Sequence, residues 1–230
     1  MKFYGVGVGP GDPELVTLKA LKVLREADGV FIPLSARGRE SVAGAIMAAH
    51  LERETIPLLF PMVKDGSERD GVLREELRRT RPLWEGASTL AMPVIGDSAL
   101  YATAAYLYDI LREEVAGLGL ELVPGVSAHS LASSRAGRFL ALGDENLSVI
   151  SGASPVQRVE AMLSASDGAV IYKPSALGGD LRRVAEASGP WMSVVRVDRA
   201  GMEDERVVTG DEALDPTDEY LSLVQLLRSR

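Results

Sequence analysis

The stretch that decides the fold is Gly5-Val6-Gly7-Val8-Gly9-Pro10-Gly11-Asp12-Pro13, which completes an apolar run that begins at Lys2. A short β-branched run that ends in glycines predicts a buried strand followed by a tight turn. Asp12 and Pro13 predict a helix start, because Asp is a favoured N-cap and Pro a favoured first helical residue. The leucines at helical spacing between residues 15 and 24 continue that helix.

The glycine-rich turn does not fit a nucleotide-phosphate loop. A dinucleotide fingerprint needs glycines at its first, third and sixth positions, but the sixth position is Pro10 when counted from Gly5 and Asp12 when counted from Gly7. No Gly-Lys-Ser/Thr follows, and Pro10 removes a backbone donor from the turn. Two interpretations stay open: a tight turn capped by Asp12, or a loop whose glycines let a flat ligand approach the backbone.

Outward from this turn, strand and helix patterns alternate through the first half of the chain. This order predicts a mostly parallel sheet with helices on both faces. The predicted strands there are 2–8, 29–32 (closed by Pro33), 54–58, 88–95 and 120–123. In the second half, segments 192–197, 205–209 and 220–226 follow one another without helices, which indicates antiparallel pairing. We therefore predict two α/β domains, residues 1–118 with a mostly parallel sheet and residues 119–230 with a mixed sheet.

Composition excludes several classes of protein. The 230 residues contain 25 Lys plus Arg and 33 Asp plus Glu, a net charge of −8, which argues against nonspecific binding to nucleic acid or anionic membranes. There is no Cys, so disulfides, thiolate zinc sites and cysteine nucleophiles are excluded. Met1 leads directly into a strand, and no run approaches the ~20 apolar residues that span a bilayer. We expect a cytoplasmic protein.

Two further segments place polar residues between a strand and a helix. The first, 94–101, contains Gly96-Asp97, and the second, 123–130, contains Ser127 and His129. Ligands of open parallel sheets lie beyond the carboxyl ends of the strands, so Asp97 and Ser127 either cap helices or contact a ligand. His129 has no partner at a fixed spacing, no metal-ligand signature occurs, and the serines lack a nucleophile-elbow context. The sequence therefore identifies no catalytic residue.

Taken together, these segments resemble the tetrapyrrole methyltransferase family over essentially the whole chain. The segments that carry the resemblance are the glycine turn with Leu-Val-Thr-Leu-Lys at 15–19, Ala27-Asp28, Gly96-Asp97, and Pro124-Gly125-Val126-Ser127. Within the family, the chain is most similar to the precorrin-2 C(20)-methyltransferases. That narrower similarity rests on Pro33, Arg37-Gly38-Arg39 with Ser41, Phe60-Pro61-Met62, Tyr101 with Thr103, and Gly143-Asp144-Glu145.

The resemblance implies an enzyme that transfers a methyl group from S-adenosylmethionine to the C(20) meso carbon of precorrin-2 or cobalt-precorrin-2 in cobalamin biosynthesis. It also implies a homodimer, cofactor binding between the two domains, and no protein-bound metal. The implied cofactor contacts are Pro10, Ile95, Gly96, Asp97, Leu100, Ser127, Ala128, Tyr172, Lys173 and Ala200. The implied contacts to the tetrapyrrole are Gly11, Asp12, Arg37 and Arg39.

Arg37 and Arg39 are expected to bind the negatively charged substrate, because bidentate guanidinium groups suit its acetate and propionate arms. Arg135 and Arg138 are further candidates, although each of the four arginines is also consistent with an ordinary surface position. Three residues depart from family patterns: Ser98 replaces a Pro, Ala102 replaces a Ser, and Pro33 stands where uroporphyrinogen methyltransferases carry an Asp. The last departure weighs against uroporphyrinogen as substrate.

Four alternatives stay open at this stage. One is a dehydrogenase of similar α/β order, against which the failed fingerprint argues. Another is a noncatalytic protein that binds S-adenosylmethionine. The remaining two are a methyltransferase of the same family that acts on another ring position, and one that acts on a modified histidine in a protein.

Overall fold

The computed structural model describes residues 1–61, 63 and 65–229, so Met62 of the Phe60-Pro61-Met62 run lies outside the described residues. The chain divides into two compact units, Met1–Ser127 and Ala128–Arg230. The division falls later than the boundary predicted after residue 118, because the strand Gly119–Val123 pairs with the first strand of the chain and so belongs to the first sheet.

The first unit is built on a sheet of parallel strands in the order β3 (Ile56–Leu59), β2 (Gly29–Leu34), β4 (Thr89–Val94), β1 (Lys2–Gly7) and β5 (Gly119–Val123). Every pairing recorded in it is parallel, as the alternation of strand and helix patterns predicts. The elements of this unit are β1 Lys2–Gly7, α1 Leu18–Glu26, β2 Gly29–Leu34, α2 Val42–Ala48, β3 Ile56–Leu59, α3 Gly66–Thr80, β4 Thr89–Val94, α4 Ala104–Glu114 and β5 Gly119–Val123.

Helices cover both faces of this sheet because successive strand residues point to opposite sides. On one face, Phe3 and Met92 pack with residues of α3 and α4 in one buried cluster. On the other face, Val6 and Ala91 pack with residues of α1 and α2 in a second cluster. The two-sided core confirms the predicted layering.

Three local predictions about the first unit differ from the structure. Asp12 does not cap α1 but a 3-10 turn at Pro13–Leu15, while Thr17 caps α1 by accepting the N–H of Ala20. Pro33 lies inside β2 instead of closing it, paired with Leu58. Because β2 pairs with β4 only over Gly29 and Val30, Pro33 forgoes no hydrogen bond on that side. Helix α4 begins at Ala104, whereas the helical spacing of Leu100, Ala104, Leu107 and Leu111 predicts a start at Leu100.

The second unit has a mixed sheet in the order β6 (Leu147–Ser151), β7 (Gly168–Tyr172), β10 (Ser222–Leu227), β8 (Ser193–Asp198) and β9 (Arg206–Thr209). Strands β6 and β7 are parallel, whereas β10 is antiparallel to both β7 and β8, and β9 is antiparallel to β8, which confirms the antiparallel pairing expected of the last three strands. The elements of this unit are α5 Ala128–Ala136, β6 Leu147–Ser151, α6 Val156–Ser164, β7 Gly168–Tyr172, α7 Asp180–Ser188, β8 Ser193–Asp198, β9 Arg206–Thr209 and β10 Ser222–Leu227.

The core of the second unit lies between its sheet and helices α6 and α7, where Ile171, Leu163 and Val184 are fully buried. Within the described part of the chain, no helix combines the length and apolar character that crossing a bilayer requires.

Candidate functional site

In the first unit, three loops converge at one edge of the sheet. Strands β4, β1 and β5 are adjacent and parallel, so the loops that follow them emerge side by side. Gly9 of the first loop and Gly96 of the second exchange two backbone hydrogen bonds, at 3.2 Å from Gly9 N to Gly96 O and 2.7 Å in the reverse direction. The glycine turn at the start of the chain is therefore fastened to the Gly96-Asp97 segment.

The glycines of these loops are needed because the backbones touch one another. A Cβ on Gly7 would lie 2.6 Å from the nitrogen of Gly125 and 2.7 Å from the carbonyl oxygen of Gly96. A Cβ on Gly125 would lie 2.3 Å from that same oxygen, and Gly96 itself has a φ of 75°. At Gly7 and Gly125 the missing side chain thus makes room for a neighbouring loop of the same unit.

Asp97 joins two of these loops through its carboxylate. One carboxylate oxygen accepts the N–H of Ala99 at 2.8 Å, and the other accepts the N–H of Gly125 at 3.0 Å. Asp97 therefore does not cap α4, whose N-cap position is Thr103. Beside it, the buried hydroxyl of Ser98 donates to the carbonyl of Val123 at 2.8 Å.

The other residues assigned to ligands in the first unit lie on the same loops. Pro10 is buried, whereas Ile95, Leu100 and Ser127 are half-buried. Asp12, next to Gly11, accepts the N–H of Glu14 at 2.9 Å.

The two arginines assigned to the tetrapyrrole have different surroundings. The guanidinium of Arg37 donates to the Glu76 carboxylate at 2.8 Å. Arg39 is exposed, and within the described part of the chain no carboxylate lies at ion-pair distance from it. Arg135, a further candidate, pairs with Glu205 at 2.9 Å. Arg39 is therefore better placed than Arg37 to meet an anionic ligand.

Glu76 is a buried carboxylate with a side chain only 5% exposed, and it joins three segments of the first unit. It accepts from Arg37 on the loop after β2, from Arg79 on its own helix, and from the N–H of Leu59 at the end of β3. The hydrogen bond from Arg79 is the largest cause that holds the pKa of Glu76 below its ordinary value. The sequence gives no local signal for this carboxylate among the many charges of α3.

Asp28, which belongs to the Ala27-Asp28 motif, lies at the opposite end of the first sheet. Its carboxylate accepts the N–H groups of Ser88 and Thr89 and the Thr89 hydroxyl. The hydrogen bonds from Thr89 hold the pKa of Asp28 below its ordinary value. Because Asp28 ties the starts of β2 and β4 together, its role is structural.

In the second unit, Tyr172 and His129 connect two segments that the resemblance assigns to the cofactor. The backbone N–H of His129 donates to the Tyr172 hydroxyl at 3.2 Å, and His129 Nδ1 lies 2.9 Å from the same oxygen. Tyr172 ends β7, and Ala128 begins α5. The sequence did not reveal this contact, because Tyr172 is distant from His129 along the chain.

Lys173 follows Tyr172 in a left-handed backbone conformation with a φ of 55°. Its carbonyl oxygen lies 2.4 Å from where a Cβ on Gly152 would stand, and Gly152 donates its N–H to Tyr172 at 2.7 Å. Sequence reasoning missed Gly152, although its position directly after a strand matches that of Gly96. Ala200 is buried on the loop after β8.

Within each unit, the residues assigned to the cofactor therefore lie at or shortly after the carboxyl ends of β-strands, in segments held by hydrogen bonds. In the second unit, the half-buried Tyr172 ends β7 directly before Lys173. Among the described residues, no three His, Asp or Glu side chains are grouped as they are around a metal ion.

Comparisons with known proteins find similarity to tetrapyrrole methyltransferases. The family model of tetrapyrrole (corrin/porphyrin) methylases matches residues 2–214. The probable cobalt-precorrin-2 C(20)-methyltransferase of Methanocaldococcus jannaschii is 34% identical, over 99% of this chain and 96% of its own length. The precorrin-2 C(20)-methyltransferase of a Sinorhizobium species is 30% identical, over 97% of this chain and 94% of its own length.

Among solved structures, the fold is similar to that of the uroporphyrin-III C-methyltransferase of Thermus thermophilus in complex with S-adenosylhomocysteine. The two chains superpose with a TM-score of 0.69 at 21% identity, and the match covers 99% of this chain and 97% of the other. At this identity, the likeness establishes the fold.

Proposed function

The chain belongs to the tetrapyrrole (corrin/porphyrin) methylase family, and from this premise we propose that it methylates the C(20) meso carbon of precorrin-2 or cobalt-precorrin-2 in cobalamin biosynthesis. S-adenosylmethionine is the methyl donor. The observation that carries the proposal is similarity, along nearly the whole chain, to two methyltransferases of that ring position.

The methyl transfer depends mainly on the alignment of the meso carbon, the methyl group and the sulfur. S-adenosylmethionine supplies a methyl group on a sulfonium, and the sulfur leaves as a neutral thioether. The meso carbon is already electron-rich through conjugation with the pyrrole nitrogens; it forms the new C–C bond and afterwards loses its proton. Holding reactants in line supplies roughly 7–11 kcal/mol of barrier reduction in well-oriented systems, so the protein contributes chiefly by positioning.

The residues proposed to hold the methyl donor lie on the loops already described. In the first unit they are Pro10, Ile95, Gly96, Asp97, Leu100 and Ser127, and in the second unit they are Ala128, Tyr172, Lys173 and Ala200. The interlocked backbones at Gly7, Gly96 and Gly125 support this proposal, because they hold the loops in one arrangement before the ligand arrives. Such preorganisation lowers the entropy lost on binding.

The tetrapyrrole is proposed to bind near the turn of Gly11 and Asp12 and the loop that carries Arg37 and Arg39. Arg39 is the direct contact to a carboxylate arm. Arg37, whose guanidinium already bonds to Glu76, holds the loop in place and adds a second, partly compensated charge.

The test is incubation of the purified protein with precorrin-2, with and without cobalt, and with S-adenosylmethionine that carries a ¹³C-labelled methyl group. We expect a gain of one methyl group by mass spectrometry and a labelled carbon at C(20) by NMR. A label at another carbon would assign a different ring position within the family. Binding of S-adenosylmethionine without methylation of either substrate would favour a noncatalytic binding protein.

We also propose that the enzyme is a cytoplasmic homodimer; the family resemblance implies the dimer, and the location is the one expected from the sequence. Light scattering at micromolar concentration tests the dimer, and a monomeric mass would refute it. Fractionation of cells into cytoplasmic and membrane fractions tests the location.

A further inference from the structure

A cluster of buried polar residues lies at one end of the second sheet, and none of its members is among the residues assigned to ligands. Arg196, Asp198 and Ser222 are 7%, 4% and 6% exposed. The Ser222 hydroxyl donates to the Asp198 carboxylate at 2.6 Å. Arg196 Nε lies 3.3 Å from the same carboxylate oxygen, but it makes no hydrogen bond within the part of the chain that the structure describes. Ser222 thus supplies a well-formed hydrogen bond to a carboxylate that Arg196 compensates mainly by charge.

The position of Ser222 follows from the strand order. Strand β10 lies between β7 and β8 and runs antiparallel to both, so its first residue stands beside the last residues of its two neighbours. Ser222 pairs with Asp198, and the next residue, Leu223, pairs with Tyr172. One residue therefore lies next to both strand ends that lead into the proposed cofactor segments.

Both of these strand ends continue into a strained backbone conformation. Lys173 after β7 and Arg199 after β8 have φ values of 55° and 53°, although neither is a glycine. Left-handed residues of this kind cost free energy and persist where their surroundings hold them. Here the start of β10 holds both: Lys173 donates its N–H to the carbonyl of Ser222 at 3.3 Å, and Arg199 donates its N–H to Leu221 at 2.7 Å.

We propose that Ser222 and Asp198 are positioning residues for the methyl donor. The hydroxyl–carboxylate bond locks the start of β10 against the end of β8, and through it fixes two left-handed turns, one that presents Lys173 and one that leads into Ala200. The inference rests on the proposed function, because it assigns these turns to S-adenosylmethionine. Neither residue is proposed to touch the reacting atoms.

Two variants of Ser222 test this inference, with S-adenosylhomocysteine as the probe in calorimetry. Ser222→Ala removes the donor; a hydrogen bond to a charged group is typically strong enough that we expect about tenfold weaker binding. Ser222→Thr keeps the hydroxyl and is expected to stay within about twofold of the wild type. In turnover assays with precorrin-2, Ser222→Ala is expected to raise KM for S-adenosylmethionine while kcat and KM for the tetrapyrrole stay close to wild type.

Ser188→Ala is the matched control. Ser188 is also buried in the second unit, and its hydroxyl donates to Val184 within α7, away from both turns. It is expected to lower the melting temperature without weakening the binding of S-adenosylhomocysteine. Equal weakening by Ser188→Ala and Ser222→Ala would overturn the inference, because the effect would then come from general destabilisation.

Two further outcomes would also overturn it. One is wild-type affinity in a folded Ser222→Ala variant, and the other is a Ser222→Thr variant as weak as Ser222→Ala. If Ser222→Ala does not fold, Ser222→Cys takes its place, because a thiol is a weaker donor and should give a smaller loss of affinity. Wild-type protein that neither binds S-adenosylhomocysteine nor methylates precorrin-2 would instead refute the proposed function.

Discussion

The loops that follow the strands are held together differently in the two units. In the first unit, the loops after β1, β4 and β5 touch backbone to backbone at Gly7, Gly96 and Gly125. In the second unit, Gly152 makes one such contact, while the ends of β7 and β8 are joined through β10 and the buried bond from Ser222 to Asp198.

The difference determines which substitutions each unit tolerates. A contact between two backbones is disrupted when a side chain is added at the glycine, because a backbone atom cannot rotate aside as a flexible side chain can. A contact made by side chains depends on a particular donor and acceptor, and it changes by degrees with the strength of the bond. Adding a side chain at a glycine contact of the first unit should therefore cause a large loss of stability at once. Replacing Ser222 or Asp198 in the second unit should cause a loss that depends on how much of the hydrogen bond remains.

The largest effect is expected from Gly125→Ala. The new Cβ would lie 2.3 Å from the carbonyl oxygen of Gly96 and 2.7 Å from the carbonyl carbon of Gly7, so two loops must separate. We expect a loss of about 3 kcal/mol in the free energy of unfolding. Binding of S-adenosylhomocysteine should fall with it. Urea denaturation and calorimetry measure the two effects.

Gly86→Ala is the control, because a Cβ at Gly86 meets no atom within 4 Å. It should leave both stability and affinity close to wild type. A Gly125→Ala variant as stable as Gly86→Ala would contradict the backbone-to-backbone interpretation of the first unit.

Gly152→Ala is expected to have the next largest effect. Its Cβ would lie 2.4 Å from the carbonyl oxygen of Lys173 but would meet a single turn instead of two loops. We expect a loss of about 2 kcal/mol in stability, together with weaker binding of S-adenosylhomocysteine. Thermal melting and calorimetry are the measurements. A loss of stability larger than that of Gly125→Ala would contradict the expectation that the first unit is the more sensitive to an added side chain.

Glu76→Gln tests whether the first unit also depends on a side chain. The pKa of Glu76 is held below its ordinary value, so the carboxylate stabilises the fold above its unfolded pKa of about 4.3, and this stability is lost as pH falls through the folded value. At pH 7 we expect Glu76→Gln to cost about 1.5 kcal/mol. The gap from the wild type should shrink as pH falls below the unfolded value, because the unfolded wild-type chain then takes up a proton that the folded carboxylate resists.

The measurement is urea denaturation at pH 7 and at about pH 3.5, with Glu75→Gln as control. Glu75 is exposed and pairs with Arg78 on the surface, so its replacement should cost less than about 0.5 kcal/mol. A gap for Glu76→Gln that stays constant across this pH range would contradict the role of its charge.

The smallest effects concern the two arginines of the first unit. Arg39→Ala is expected to weaken binding of precorrin-2 about fivefold, more so at low salt, because an exposed charge is readily screened. Arg37→Ala should weaken it less, since Glu76 already compensates that charge. Affinity for S-adenosylhomocysteine should change in neither variant. Titrations at two ionic strengths decide the matter, and wild-type affinity in Arg39→Ala at both would remove Arg39 from the substrate site.

Much of the fold was predictable from local patterns. Glycine-terminated apolar runs mark β1 and β4, and the closely spaced late segments predict antiparallel pairing, because strand periodicity and turn chemistry act over a few residues. The boundary between the units was less predictable. Strand β5 looks from its sequence like the start of a new domain, and only its pairing with β1 assigns it to the first.

The candidate site was also predictable only in part. The sequence by itself singled out Gly96-Asp97 and the segment from Pro124 to Ser127 as places that either cap helices or contact a ligand, whereas Tyr172 and Lys173 were implied only by the family resemblance. The tertiary structure alone decided which of them meet: Tyr172 reaches His129 across 43 residues, Arg37 reaches Glu76 across 39, and Ser222 reaches Asp198 across 24. Such pairs have no sequence period, because the contact exists only after the strands that carry them have found their neighbours.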